Sequence, residues 1–247
     1  VAYSDNSDGS FSNLEIGRPF YSLDTRWSAG TAVVVGDRTD SRYRRGEVLD
    51  RVAERTNGFD AYGGRSDGLR DGWARRWLAG VHYERSRFAI APDEALVAAL
   101  PAERTLAYPW VGLEWVEDDF STAHNQDQLS RTEALQFGPA RRAELGSAGR
   151  AWGADRTAAM MAFHGTTGRR FGAARSLFLT GDFTGRWESA GLRDAVLQGQ
   201  RALDPAPRDG AAAVGYQQDM HINLSVASSV PGQPRPPGQR RPPCAPG

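Results

Sequence analysis

The chain has 247 residues, and its 30 basic and 30 acidic side chains give a formal charge of zero. That balance supplies neither the basic field nucleic acid requires nor a polybasic membrane anchor. Every basic residue is Arg, a bias typical of GC-rich coding and given little functional weight, and the lone Cys244 excludes an intramolecular disulfide or a cysteine-based metal site.

No run of about 18 apolar residues occurs, so no helix is expected to span a membrane. The opening "VAYSDNSDG" reads as the middle of a protein, and any targeting segment is expected upstream of it. Seven Trp, seven Tyr, ten Phe and 28 Gly without long apolar runs suit β structure with many turns. They also suit a transmembrane barrel, whose strands are apolar on one face only.

In chain order, "DNSDG" (Asp5 to Gly9) resembles the start of a calcium loop. Ile16 stands where the bidentate acid belongs, so a hairpin turn is the preferred reading. In "TRWSAGTAVVVG", Trp27, Ala29, Thr31, Val33 and Val35 share one face. "RRGEVLDRVAER" is ambiguous between helix and strand. In "WARRWLAGVHYE", Trp73, Trp77, Ala79, Val81 and Tyr83 fall together, with Arg75 as an intruder. "APDEALVAALP" (Ala91 to Pro101) reads as one short helix. "EWVEDDF" clusters Glu114, Glu117, Asp118 and Asp119, which suits a solvated rim better than acid/base catalysis. "HNQDQLSRTE" (His124 to Glu133) suits a hydrogen-bonded turn. In "SLFLTGDFTGRWE", Leu177, Leu179, Gly181, Phe183, Gly185 and Trp187 share a face, with Phe178 out of place.

Alternation at period two over a dozen residues is a strand signal. Strands are expected at roughly 1–4, 10–18, 25–36, 48–66, 72–88, 104–120, 131–145, 156–168, 175–188 and 194–203. A face carrying Asp, Arg and Glu together faces bulk water or a wet lumen. The Trp-bearing face suits a sandwich core or a lipid-facing band equally well. The connections form two series. "SDNSDG", "GDRTDSRYRRG", the Ala89–Glu103 segment, "GSAGRAWGAD" and "SAGLRD" are mostly longer than "RPFYSLD", "SDGLRDG", "NQDQLS" and "TGRRFGAA". One rim with long loops and one with short turns is the asymmetry of an outer-membrane barrel.

The tetrapeptide GLRD occurs at Gly68–Asp71 and again at Gly191–Asp194. Both copies read as tight reversals in which Gly permits unusual φ and Asp bonds its own backbone. An odd number of strands between them puts the two on opposite rims. Two domains of different character follow: a partial barrel over residues 1–203 and a tail over 204–247. The tail loses alternation and reads as disordered or as the product of a shifted frame, with a polyproline ligand as the minor alternative. His82, His124, His164 and His221 are scattered without metal-ligand spacing. No G-x-S-x-G, P-loop or dinucleotide fingerprint occurs. No catalytic, cofactor-binding or metal-ligating residue is therefore assigned, and no enzymatic activity is expected.

"AYSDNSDGSFSNLEIGRPFYSLDTRWSAG" resembles the opening barrel hairpins of the BamA/TamA-type outer-membrane assembly factors, the bacterial surface antigen family. Pro19, Phe20, Tyr21 and Asp24 occupy the aromatic-proline periplasmic turn of that family. "YPWVGLEWVEDDF…NQDQLSRTEALQFG" is similar to a recurring stretch of such antigens, and the resemblance covers residues 1 to about 200. It implies an antiparallel up-and-down transmembrane β-barrel in the outer membrane of a Gram-negative bacterium, preceded by POTRA domains, that inserts or translocates other outer-membrane proteins. The implied partners are outer-membrane lipid, unfolded client proteins and periplasmic assembly subunits. The implied mechanism is strand addition at a weak seam between first and last strands, of which Val1–Ser4 would be half. POTRA domains are absent from this sequence. "GRRFG" (Gly168 to Gly172) does not match the family's Arg-Gly-aromatic loop motif, and about ten of 16 strands are accounted for. The expectation is an incomplete barrel that neither closes alone nor acts as an insertase. A passive pore or transporter barrel and a soluble all-β binding domain are the alternatives.

Overall fold

The computed structural model describes residues 1–91, 100–124, 132–171, 175–189, 191–205 and 224–226. It is almost wholly antiparallel β structure. β1 (Ala2–Asn6), β2 (Gly9–Arg18), β3 (Trp27–Arg44), β4 (Glu47–Arg70), β5 (Trp73–Ile90) and β6 (Arg104–Glu117) pair in chain order. A small hairpin of β7 (Phe120–His124) and β8 (Thr132–Gln136) follows, and β9 (Ala140–Ala148) then pairs with β6. β10 (Ala158–Phe171), β11 (Arg175–Glu188) and β12 (Gly191–Pro205) continue the meander, and β13 (Leu224–Val226) pairs with Ala195–Leu197. The main sheet thus has 11 strands, ten of them in an up-and-down run, with β1 and β13 at its two edges. It is not closed: among the described residues β1 pairs with β2 alone. This is the incomplete all-β, up-and-down architecture expected from the alternation.

Several boundaries differ from the expected ones, each for a local reason. "GDRTDSRYRRG" is not a loop: β3 and β4 continue as a two-stranded ribbon beyond β2, down to a turn at Arg45–Gly46. Both turn residues have positive φ (54° and 91°), the geometry whose twist matches paired strands. The ambiguous "RRGEVLDRVAER" is accordingly turn and strand. The connection through "NQDQLS" is not a short turn, because the β7–β8 hairpin is inserted between β6 and β9. The rim expected to carry only short turns therefore bears the longest excursion. The helix expected over Ala91–Pro101 falls mostly on 92–99, and the middle of the turn expected over His124–Glu133 on 125–131, outside the described residues; its ends, His124 and Thr132–Glu133, belong to β7 and β8. Most of the expected 204–247 tail also lies outside them, except that β12 runs to Pro205 and β13 adds to the sheet.

The two GLRD segments do lie at opposite ends of the sheet, with β5, β6, β9, β10 and β11 between them. Their parts exchange roles. In the first, Asp71 and Gly72 (φ 53° and 78°) make the two-residue turn, while Gly68 (φ 71°) sits at a bulge within β4. In the second, Gly191 (φ 112°) leaves the turn and Asp194 (φ 47°) sits at the bulge opposite Thr184/Arg186. One tetrapeptide supplies a turn and a bulge in either order, because Gly and Asp both tolerate the left-handed region.

Candidate functional site

Pairing fixes which residues share a face. On β5 the even positions from Ala74 to Phe88, including Arg76, Leu78 and Ser86, are buried or half-buried. The odd positions from Arg75 to Tyr83, including Trp77, Ala79 and Val81, are exposed. Burial on the even side occurs with no second layer above it, since the described elements touch little beyond their neighbours in the sheet. The sheet must therefore curl around that side. A cavity of about 410 Å³ on it reaches from Asn6 and Phe11 across Arg38, Glu54 and Glu84 to Arg104.

The concave side is polar and internally paired. Arg76, 7 % exposed, donates to Glu114 Oε1 at 2.8 Å and to the Ser22 carbonyl at 3.2 Å, and lies 4.7 Å from the Phe20 ring centre. Phe20 belongs to "RPFYSLD", so this turn folds inward across the mouth of the sheet. Thr25 and Ser22 hold it through hydroxyl and backbone bonds, and Asp24 accepts from the Leu69 amide at 3.4 Å. Further along, His82 bonds Asp60 at 2.7 Å and leans on Tyr108. His164 bonds Asp182 at 2.6 Å in the same arrangement on β10 and β11. Arg142–Glu144 and Arg186 with Glu188 and Asp194 complete the series. Complementary charges, on neighbouring strands or two residues apart on one strand, offset the cost of half-burial. The apparently misplaced Phe178 also faces this side, where its ring meets Phe137 at 5.0 Å.

The convex side has the opposite character. One row of directly opposed residues reads Trp77, Leu113, Ala143, Phe163, Phe183, Leu197 across six strands. Trp77 is 64 % exposed, Val111 63 % and Leu145 64 %. None of the seven Trp is buried. The Trp-bearing faces therefore do not pack as a sandwich core, and the buried apolar residues are mostly alanines. Soluble monomers rarely expose a contiguous apolar surface of this extent. On β5 the apolar run is bracketed by Arg75 and Arg85. Ten residues of strand span about 33 Å; at the tilt of about 40° usual in membrane barrels that length would give about 25 Å, the height of a lipid-facing band.

The sequence-level candidates separate in space. "DNSDG" is the β1–β2 hairpin turn, where the Asp8 amide bonds Asn6 Oδ1 at 3.0 Å. Of the "EWVEDDF" acids, Glu114 faces the concave side and Glu117 the convex, while Asp118 and Asp119 are exposed at the rim. Asp119 accepts through its carbonyl from the Phe137 and Gly138 amides, and its carboxylate lies 3.8 Å from Arg170. "GRRFG" begins in the end of β10, with Arg170 over the Phe137 ring at 4.0 Å. His82 and His164 occupy separate cross-strand pairs, and His221 lies outside the described residues. Sequence reasoning missed the His–Asp pairs, whose partners are 22 and 18 residues apart; only the register of neighbouring strands connects them. Comparison with models of known families, with characterised proteins and with solved structures finds no match to this chain.

Proposed function

We propose that the chain forms part of an outer-membrane β-barrel of the BamA/TamA type, whose work is the insertion or translocation of other outer-membrane proteins rather than a chemical reaction. The observation that carries the barrel reading is the inverted polarity of the sheet. Its exposed convex side is apolar over about ten residues of strand, about 33 Å, while its concave side holds the Arg76–Glu114, His82–Asp60 and His164–Asp182 pairs. In water that arrangement leaves Trp27, Trp77 and Trp187 more than half exposed. In a bilayer the same residues contact lipid.

The assembly role rests on the resemblance of the opening hairpins and on the edge at β1. All five residues of β1 are exposed, and among the described residues the strand pairs with β2 alone. Such an edge is a template on which an incoming strand can add. The same open edge supports the expectation that this stretch does not close alone and lacks insertase activity by itself.

Fractionation of a Gram-negative host expressing the chain tests the membrane reading. Recovery in the detergent phase with the outer membrane is expected, and a monomer soluble in buffer overturns it. A photocrosslinker at Ser4 tests the edge: adducts with unfolded outer-membrane proteins are expected. Ion conductance without such adducts would favour a passive pore. A heat-modifiable, closed barrel formed from these 247 residues alone would refute the incomplete-barrel reading.

A further inference from the structure

The convex side carries more than apolar residues. At the end of the sheet that bears the 19–26 and 71–72 turns, arginines and tryptophans alternate across it. Trp27 opposes Arg65, which opposes Trp77. Two residues nearer the rim on β5, Arg75 opposes Trp115, which opposes Arg141. Arg18 closes the pattern on β2, its guanidinium 3.9 Å from the Trp27 ring centre. All lie near the ends of their strands at this rim.

Arg65, Arg75 and Arg141 are exposed, and none of the ion pairs among the described residues includes them. Two acids lie nearby without entering an ion pair with them: the exposed Asp67, in the β4 bulge between the Ser66–Arg76 and Leu69–Ala74 pairs, and Glu117, opposite Trp73 at the rim itself. The opposite edge of the apolar band differs. There Arg55 lies 3.6 Å from Asp37, and Arg85 and Arg87 lie 2.9 and 4.0 Å from Glu103. At one edge each of these arginines is ion-paired with a carboxylate of the chain; at the other, among the described residues, Arg65, Arg75 and Arg141 are in no ion pair.

We propose that this arginine–tryptophan lattice is a binding surface for anionic phospholipid headgroups, a proposal that rests on the membrane-spanning reading above. Charge complementarity selects the occupant. Guanidinium groups offer planar, paired donors to phosphate oxygens. Indole rings settle at the level where headgroups meet acyl chains. An arginine within the band edge reaches the phosphates by extending its stem along apolar surface. The lattice therefore places its cations at headgroup height on one leaflet, in contact with lipid rather than with a carboxylate of the chain.

The test uses the full chain reconstituted in phosphatidylcholine bilayers, with spin-labelled phosphatidylglycerol or spin-labelled phosphatidylcholine as the probe. Motionally restricted lipid at the protein perimeter is measured for each. Wild type is expected to prefer phosphatidylglycerol, by up to about fivefold for each contributing arginine, and to lose the preference in high salt. The R65Q/R75Q/R141Q variant is expected to bring the ratio close to one, and R65K/R75K/R141K to retain most of it. R55Q/R85Q/R87Q, at the ion-paired edge, is expected to leave it unchanged. A wild-type ratio of one, or a preference indifferent to salt, overturns the proposal while leaving the membrane reading intact. No restricted lipid of either kind in wild type overturns the membrane reading instead. Should the glutamine variant fail to insert, the salt dependence of wild type and the lysine variant still decide.

Discussion

Val111→Arg separates a lipid-facing sheet from a water-facing one. Val111 is 63 % exposed at the centre of the convex band, between Ala79 on β5 and Leu145 on β9. If the convex side faces water, a substitution at so exposed a position changes stability by no more than about 0.5 kcal/mol. If it faces the bilayer midplane, an arginine costs about 2–4 kcal/mol, a factor of about 30 to 900 in the folding equilibrium. Thr167→Arg supplies the depth control. Thr167 is convex and exposed but lies close to the rim beside Arg169, where the same residue should cost only about 0–1 kcal/mol. Reversible guanidinium unfolding from phosphatidylcholine vesicles, followed by Trp fluorescence, measures both. Equal effects of the two substitutions, each within 0.5 kcal/mol, would refute the argument that this side meets lipid.

Three further outcomes follow from the packing. Gly80→Ala places a Cβ 2.5 Å from the Ala61 carbonyl oxygen and 2.7 Å from the Trp110 ring, so a loss of about 1–3 kcal/mol is expected in urea unfolding; Gly181→Ala, with no atom within 4 Å, should be neutral by the same measurement. Glu114→Gln removes the carboxylate from a nearly buried Arg76 whose Nε already lacks a partner; a loss of about 1.5–3 kcal/mol is expected, read from the denaturation midpoint. Gly72→Ala forces a side chain into the left-handed turn at φ 78° and should cost about 1–2 kcal/mol, whereas Asp71→Asn should leave stability unchanged, both by thermal unfolding in detergent.

Much of the fold was legible because strand alternation is a local property. The faces read from "TRWSAGTAVVVG", "WARRWLAGVHYE" and "SLFLTGDFTGRWE" are the faces of β3, β5 and β11, and the GLRD segments fall on opposite rims as the strand count required. Boundaries were less legible. A polar ribbon such as the overhanging β3–β4 hairpin has no apolar face to produce alternation, so it resembles a loop. The β7–β8 insertion is polar for the same reason. Arg75 looked like an error in an apolar stripe and the Arg-only composition looked like codon bias. Opposed to Trp115 across a strand pair, Arg75 becomes one node of a lattice whose other members lie 10 and 66 residues away in sequence, at Arg65 and Arg141.

The sequence by itself determined that this chain makes long antiparallel strands with one apolar and one polar side. A period of two places alternate side chains on opposite faces wherever the strand goes. It left open which side is outermost, because a sandwich core and a lipid-facing band require the same pattern. Only the tertiary structure decided that. Curvature wraps the sheet around its polar side and leaves Trp27, Trp77 and Trp187 on the outside, and curvature arises from pairing across the whole sheet, which no single strand encodes.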